Sequence, residues 1–398
     1  MSTTWVPGAD AAGYGADNLP YGVFSRAGSP PRIGVRVGDR VLDLAAALGD
    51  PEFSASSLNP FMARGSTAWR ATRAKVSGML TAPGGRASAE PHLVPLEEVE
   101  LKAPFEVADY ADFYCSLDHA ENVGRIFRPG GAPLSPNWRH QPVGYHGRAG
   151  TVVPSGTGIV RPVGHHPPAE GGEPAVGPSR RLDIEAELGF VVGTPTSLGR
   201  TVPTGDFAEH VFGVVLVNDW SARDIQRWES APLGPFLGKS FATSVSPWVV
   251  PLDALGAARV AGREQDPPPA PHLRRVADWG LDIAMTVRVN GEVVSRPPYA
   301  SMYWTPDQML AHLTSNGASL RTGDLYASGT VSGPGRDERG SLLELTWDAT
   351  EPLRLAGGGE RGYLEDGDTV AISATARGMG GGTVALGEVT GTVRPALS

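Results

Sequence analysis

The sequence is poor in several things at once. Its 398 residues include a single cysteine, Cys115, so no intrachain disulfide can form and no zinc can be held by a set of cysteines. A lone thiol suits a reducing compartment, and a cytoplasmic protein is the expectation. Long apolar runs are missing: the longest, VFGVVLV at 211–217, falls far short of a bilayer. The opening MSTTWVPGAD lacks both the basic segment and the apolar stretch of a secretory signal. Charge is sparse, with a net value of −9 and no Lys/Arg cluster of the kind that follows a phosphate backbone. Nucleic acid and membrane are therefore not expected as partners. Internal repeats and heptads are absent too.

Glycine and proline are abundant instead, 52 and 36 residues, which favours turns and short strands over long helices. The length points to two domains. In the first ~100 residues, RIGVRVGDRVLDL (32–44) alternates on both sides of Gly38-Asp39 and reads as a hairpin, NPFMARGSTAWRATRAKVSGML (59–80) as a helix, and TAPGGRASAEPHLVP (81–95) as a loop or linker. Beyond residue 104 strand signals are dense: LDIEAELGFVVG, HVFGVVLVND, LDIAMTVRVNGEVVS with Asn290-Gly291 as its turn, SLLELTW and DTVAISATARG. Proline-rich stretches at 161–180 and 266–273 read as surface loops.

The stretch LDIEAELGF (182–190) places Asp183, Glu185 and Glu187 at every second position, so a strand would carry all three on one face. Either that face meets water, or the carboxylates gather around a cation. In VVLVNDWSARDIQRWE (214–229) an apolar strand ends at Asp219; Ser221 and Asp224 have the spacing of a capping box, and Arg223 and Gln226 share a helix face. In DYADFYCSLDHAENVGRIFR (109–128), Ser116 can cap a helix carrying His119, with Asp112, Tyr114 and Cys115 just upstream. Cys115 with His119 also permits a thiol–imidazole pair. PLGPFLGKS (232–240) is not a phosphate-binding loop: only three residues separate Gly234 from Gly238, and Pro235 removes an amide. Lys239 remains as an isolated cation. His165-His166 lacks a third ligand nearby and reads as structural. Glu344, opposite Leu343 and Leu345 in pattern, is either solvated or in a site.

In order along the chain, NLPYGVFS, DYADFYCSLDHAENVGRIFR, QPVGYHGRAG, RRLDIEAELGF, NDWSARDIQRWE, PLGPFLGKSFATSVSPWVVP, LYASGTVSG and GSLLELTW resemble the fumarylacetoacetate hydrolase family, from about residue 18 onward. The resemblance implies a mostly β (α+β) fold: a small SH3-like N-terminal β-barrel domain with its linker over 1–104, and a larger mixed β-roll catalytic domain over 105–398, assembled as a homodimer. It implies Asp112, Glu185, Glu187 and Asp219 as ligands of Mg²⁺ or Ca²⁺, with Lys239 and Thr243 around the ion. His119 would be the general base, oriented by Glu344; Arg223, Gln226 and Lys239 would stabilise negative charge. Tyr114, Arg128, Tyr145, Gln226 and Thr330 would contact a diketone dicarboxylate, fumarylacetoacetate, whose hydrolysis closes tyrosine and phenylalanine breakdown. Two positions depart from the family: Ser230 replaces a substrate-binding Tyr, and Cys115 replaces the usual Ser.

An all-oxygen ligand set suits a hard ion, and four acids without one would repel by roughly 4 kcal/mol per close pair at an effective dielectric near 20. The rival readings are an acylpyruvase-like diketo-acid hydrolase or a related decarboxylase on the same fold, a Cys115/His119 thiol hydrolase, and a metal-binding scaffold without catalysis. The long N-terminal unit counts against the first, and the His, Glu, Arg and Lys set against the last.

Overall fold

The computed structural model describes residues 3–168, 172–357 and 359–397. Residues 21–101 supply an antiparallel five-stranded curled sheet in the order Leu93–Pro95, Arg40–Asp43, Arg32–Val37, Tyr21–Ser25, Glu100–Leu101. The expected hairpin is there, with Val37 paired to Arg40. The supposed linker contributes a strand of its own: Leu93–Pro95 pairs with Arg40–Leu42, because its valine can bury against the sheet. The single helix expected over 59–80 is two, Asn59–Met62 and Ser66–Thr81. Gly65, at φ 80°, turns the chain between them where a residue with a Cβ is strained.

The larger domain is built on an eight-stranded mixed sheet. Its main path runs Gly144–His146, Tyr110–Phe113, Leu325–Ala327, Ala186–Val192, Val211–Asp219, Thr243–Val245, Val152–Pro154, with Val250–Pro251 also paired to Val211–Asp219. A second, five-stranded sheet has the order Glu292–Ser295, Ile283–Val289, Thr369–Arg377, Thr383–Arg394, Ile159–Val160. Asn290 and Gly291 close its hairpin, both at positive φ as the sequence predicts.

Side-chain alternation along Val211–Asp219 divides the molecule. Val214 and Leu216 enter the larger core together with Leu188, Phe190, Val287 and Ile372, between the two sheets. Val215 and Val217 enter a second core with Val23, Ile33, Phe61, Trp69 and Leu325, where the N-terminal domain covers the opposite face. A strand buried on both faces reads as a continuous apolar run, which is why 211–217 shows no alternation. That second face decides where the site is. Tyr110, Val191, Val217 and Val245 lie on it under the N-terminal domain. Period two then puts Asp112, Glu187, Asp219 and Thr243 on the same face, farther along their strands.

Two other expectations fail locally. The proline-rich stretch 161–180 is not all loop, since Val163–His166 and Ala175–Pro178 form a small antiparallel ladder; residues 169–171 of it lie outside the described residues, as do Met1 and Ser2 of the opening segment. SLLELTW is not a strand: Leu342–Leu345 is a single helical turn capped by the Ser341 side chain, which accepts from the Glu344 amide. Among the described residues no helix is long and apolar enough to cross a membrane.

Candidate active site

Asp112, Glu185, Glu187 and Asp219 offer carboxylate oxygens that all lie within 4.8 Å of one another, and all four residues are buried. Strand register brings them together. Asp112 pairs with Ala327, Ala327 with Gly189 two residues beyond Glu187, and Asp219 ends the strand that pairs with Ala186–Val192. Tyr145 lies opposite Asp112 and Thr243 opposite Asp219. The single strand expected over 182–190 is broken, however. Leu182–Asp183 pairs with Ser221–Ala222 in a ladder of its own, and the main strand starts only at Ala186. Glu185 stands at the break and still reaches the cluster; Asp183 leaves it.

The contacts of the four acids are uneven. Asp219 accepts from Thr243 Oγ1 at 2.7 Å and Tyr145 OH at 3.1 Å, and pairs with the Lys239 ammonium. Glu185 pairs with Lys239 and with Arg223 Nη1 at 2.8 Å. Among the described residues, Glu187 Oε2 accepts only the Gly329 amide, 3.2 Å away, and Asp112 Oδ1 and Glu187 Oε1 are buried without a partner. Gly329 is needed there: at φ 76° a Cβ would meet the Phe113 carbonyl oxygen at 2.2 Å. Burial, then the charge of neighbouring acids, pushes the Asp112 and Glu187 carboxyls well above their ordinary range. Burial also acts to raise Glu185, but Lys239, Arg223 and His119 outweigh it and hold that carboxyl low. For Lys239, burial acts to lower the ammonium, and Asp219, Glu185 and Asp112 reverse the sign.

This donor set fits a hard divalent cation. It is all oxygen, it has buried lone pairs without hydrogen-bond donors, and it holds more negative charge than Lys239 and Arg223 neutralise. Lys239 and Thr243, expected around the ion, contact the carboxylates; an ammonium has no lone pair to offer a metal.

Beside the cluster lies a second constellation. Ser116 caps the helix Leu117–Phe127 by accepting from the His119 amide, as the sequence predicts. His119 Nδ1 meets Glu344 Oε2 at 2.6 Å, which leaves Nε2 facing away from Glu344. Glu344 is held by Asn122 Nδ2 at 3.0 Å, Ser332 Oγ at 3.0 Å and Ser341 Oγ at 2.8 Å. Burial acts to raise its carboxyl, but His119 and these donors keep it below the ordinary range. Asn122 was findable, because it follows His119 by three residues on one helix face. Ser341 carries a signal too, since it precedes Glu344 by three residues, the spacing of a capping box; Ser332 carries none.

The helix Arg223–Glu229 has no capping box, contrary to the spacing of Ser221 and Asp224. Ala222 is its N-cap, Ser221 accepts from Lys239 Nζ at 2.8 Å, and Asp224 accepts from Ser179 Oγ at 2.7 Å. Arg223 Nη1 donates to Gln226 Oε1 at 3.1 Å, as their shared face predicts, and Arg223 Nη2 is buried without a partner among the described residues. Thr330 Oγ1 is likewise buried and unpartnered, and the Tyr114 ring stands edge-on to His119 at 5.2 Å. Tyr145 and Lys239 line a cleft of about 270 Å³ with Arg148 and Phe236, open to solvent.

Three expectations fit less well. Arg128 is exposed and donates to the Ala132 and Pro133 carbonyls. The Ser230 hydroxyl donates to the Gln226 carbonyl at the helix end. Cys115 sits in the larger core, where burial pushes its thiol well above the ordinary range, and His119 Nδ1 is engaged by Glu344. A protonated, packed thiol is no nucleophile, so the cysteine reading fails. His165-His166 is not part of the four-acid cluster: His166 Nε2 lies 2.9 Å from the Gly177 carbonyl and Nδ1 3.3 Å from Asp224 Oδ2.

Family models place these elements in a wider group. "Fumarylacetoacetase N-terminal" matches residues 17–104, and "Fumarylacetoacetate (FAA) hydrolase C-terminal" matches 109–394. The chain is 43% identical to the fumarylacetoacetase of Homo sapiens over 416 residues, covering 99% of each. It is 42% identical to that of Oryza sativa subsp. japonica, over 99% of this chain and 97% of the relative. The solved fumarylacetoacetate hydrolase from psychrophilic Exiguobacterium antarcticum shares the fold, with a TM-score of 0.57 at 21% identity, covering 95% of this chain and 99% of that one. Matched along both domains and nearly end to end, the chain belongs to the fumarylacetoacetate hydrolase family.

Proposed function

We propose that this chain hydrolyses the carbon–carbon bond of 4-fumarylacetoacetate, giving fumarate and acetoacetate. The observation that carries the reading is one buried site where four convergent carboxylates, a His–Glu pair and an arginine donor unpartnered among the described residues lie together. The activity named for the relatives, at 42–43% identity over nearly the whole chain, is this same reaction.

Each requirement of the reaction has a candidate. Glu344 fixes His119 with Nδ1 towards the carboxylate, so Nε2 is the nitrogen that takes a proton from water. The water oxygen adds to the carbonyl carbon of the fumaryl group, which becomes the second carboxylate of fumarate, and the bond from that carbon to the neighbouring methylene breaks with its electron pair moving to the acetoacetate fragment as an enolate. Arg223 Nη2, Gln226 and Lys239 supply fixed donors and charge for that developing anion. Protonation of the enolate carbon completes the exchange. Tyr114, Tyr145 and Thr330 border the space for substrate, and Arg128 recruits a terminal carboxylate if it swings in from its carbonyl contacts. Asp112, Glu185, Glu187 and Asp219 would hold Mg²⁺ or Ca²⁺, the ions suited to oxygen ligands. When bound, such an ion polarises a substrate carbonyl as a Lewis acid.

The domain boundary at 104/105, a homodimer, a cytoplasmic setting and a place in tyrosine catabolism are part of the same reading. They rest on likeness to the family and, for the setting, on the lone buried thiol. The test is the loss of fumarylacetoacetate absorbance on adding the protein, with and without chelator, against shorter diketo acids. Preferential turnover of an acylpyruvate would favour the acylpyruvase-like alternative.

A further inference from the structure

Asp183 shares its alternation with Glu185 and Glu187 but takes no part in the acidic cluster. Fully buried, it accepts from four donors: Arg223 Nε at 2.8 Å and the Leu343 amide at 3.0 Å on Oδ2, the Ile184 and Leu342 amides at 2.7 Å each on Oδ1. Two of these amides open the helical turn that carries Glu344. The fourth partner is the guanidinium whose Nη1 reaches Gln226 and Glu185 and whose Nη2 is the unpartnered donor.

We propose that Asp183 is a positioning residue that locks the arginine donor and the His–Glu base into one relative geometry. The inference rests on the functional reading above. Its physical core is the donor count. Every group around Asp183 donates, and a carboxylate offers acceptors on both oxygens. With Nε tied to Asp183 and Nη1 to Gln226 and Glu185, the planar fork has no rotational freedom left, so Nη2 points in one direction. The same carboxylate pins the first amides of the Glu344 turn. A shift of the arginine against the base costs rate through orientation, not through charge.

Asparagine at 183 has nearly the same shape but must turn an NH₂ towards either Arg223 Nε and the Leu343 amide or the Ile184 and Leu342 amides. In the metal-loaded full chain, Asp183→Asn is expected to lower kcat about 10- to 100-fold, the range for removing a group that orients a site residue, with KM within about threefold. Divalent-ion affinity measured by calorimetry should stay within about threefold of the parent. Arg223→Lys keeps the charge but lacks the fork, and should lose about as much kcat as Arg223→Ala. Combining Asp183→Asn with Arg223→Lys should add little to the worse single loss.

Unchanged kcat in Asp183→Asn, or losses that multiply in the double variant, would overturn the proposal. If Asp183→Asn does not fold, Arg223→Lys decides alone: kcat within about fivefold of the parent means charge suffices and orientation does not matter. A parent chain inactive on fumarylacetoacetate would sink the functional reading separately. The anchoring is still read then from the Arg223 Nε–H signal in selectively labelled protein, which should exchange slowly in the parent and fast in Asp183→Asn; equal exchange in the two refutes it.

Discussion

Two pairs of buried acids share this site and are satisfied in opposite ways. Glu344 and Asp183 each accept from four donors. Asp112 and Glu187 each keep a buried oxygen that meets no donor. A fully bonded carboxylate is fixed in place and low in demand, so it orients others. A carboxylate with lone pairs to spare, crowded by other acids, is unstable as an anion until a cation arrives. Sequence pattern made Asp183, Glu185 and Glu187 look equivalent, and the donors around each decide which acid belongs to which kind.

Removing the cation should separate the two kinds most strongly. Chelation is expected to cost about three orders of magnitude in turnover or more, since an ion of this sort supplies several kcal/mol of transition-state stabilisation, and Mg²⁺ or Ca²⁺ should restore it. The metal-free chain should also melt lower. Glu187→Gln puts a permanently neutral group where burial and the neighbouring acids oppose an anion, so it should raise the metal-free melting temperature while leaving almost no activity. Glu344→Gln should do the reverse to stability, because an NH₂ is forced against donors at a cost of about 1–3 kcal/mol. Calorimetric melts of both variants, with and without ion, read these signs. A stabilised Glu344→Gln would erase the distinction.

The next effect is on chemistry. His119→Ala should lower kcat by about 10²–10⁴, the range for losing a general base. Glu344→Gln should act on the same step, so the double variant should be little worse than the worse single one. Steady-state kinetics of the three variants test this, and independent, multiplicative losses would mean that Glu344 serves another partner.

Much of this arrangement was readable in the chain, and the exceptions have a common cause. Ser116 before His119, Arg223 with Gln226, and Asn290-Gly291 are local patterns, and the structure keeps them. Alternation put Glu185 and Glu187 on one face correctly, but it could not see that the strand breaks at Glu185, because the break is set by pairing of Asp183 with Ser221. Ser221 had the spacing of a helix cap, yet it is bonded to Lys239 from another segment. Leu342–Leu345 reads as a strand by composition and folds as a turn whose first amides Asp183 satisfies from 159 residues away. Where the deciding partner is distant in sequence, a local pattern misleads.

Asp307 offers a control outside the site. Among the described residues its two carboxylate oxygens are buried and unpartnered, and it belongs to no acidic cluster. Burial pushes its carboxyl up to about 6. The folded-state value lies above the unfolded one near 4, so the folded chain holds an extra proton between about pH 4 and 6 and stability falls as pH rises through that window. The full effect is about 3 kcal/mol. Asp307→Asn should remove that slope, leaving the variant more stable than the parent at pH 7.5 and not at pH 4. Denaturant unfolding at both values checks it. A pH-independent difference would show that desolvation of Asp307 is relieved some other way.

Ser230 tests the smallest difference, between an oxygen used for substrate and one used for the fold. It ends the helix Arg223–Glu229, and its amide and hydroxyl both donate to the Gln226 carbonyl. The hydroxyl is therefore occupied by the helix end, and a bridging water is not needed to explain its place. The family resemblance implies a substrate-binding tyrosine at this position. Ser230→Tyr gives up one neutral hydrogen bond to a carbonyl that keeps its amide donor, so folding should lose about 1 kcal/mol or less. The longer side chain should reach the substrate and lower KM by up to about fivefold, the equivalent of one such bond, with kcat within about twofold. It should also narrow the range of acyl groups accepted, by filling space that serine leaves open. Kinetics on fumarylacetoacetate and on a bulkier acyl analogue measure both effects. A raised KM would mean that this helix end already borders the substrate closely, and that the pocket has closed around serine in a way the family's tyrosine does not predict.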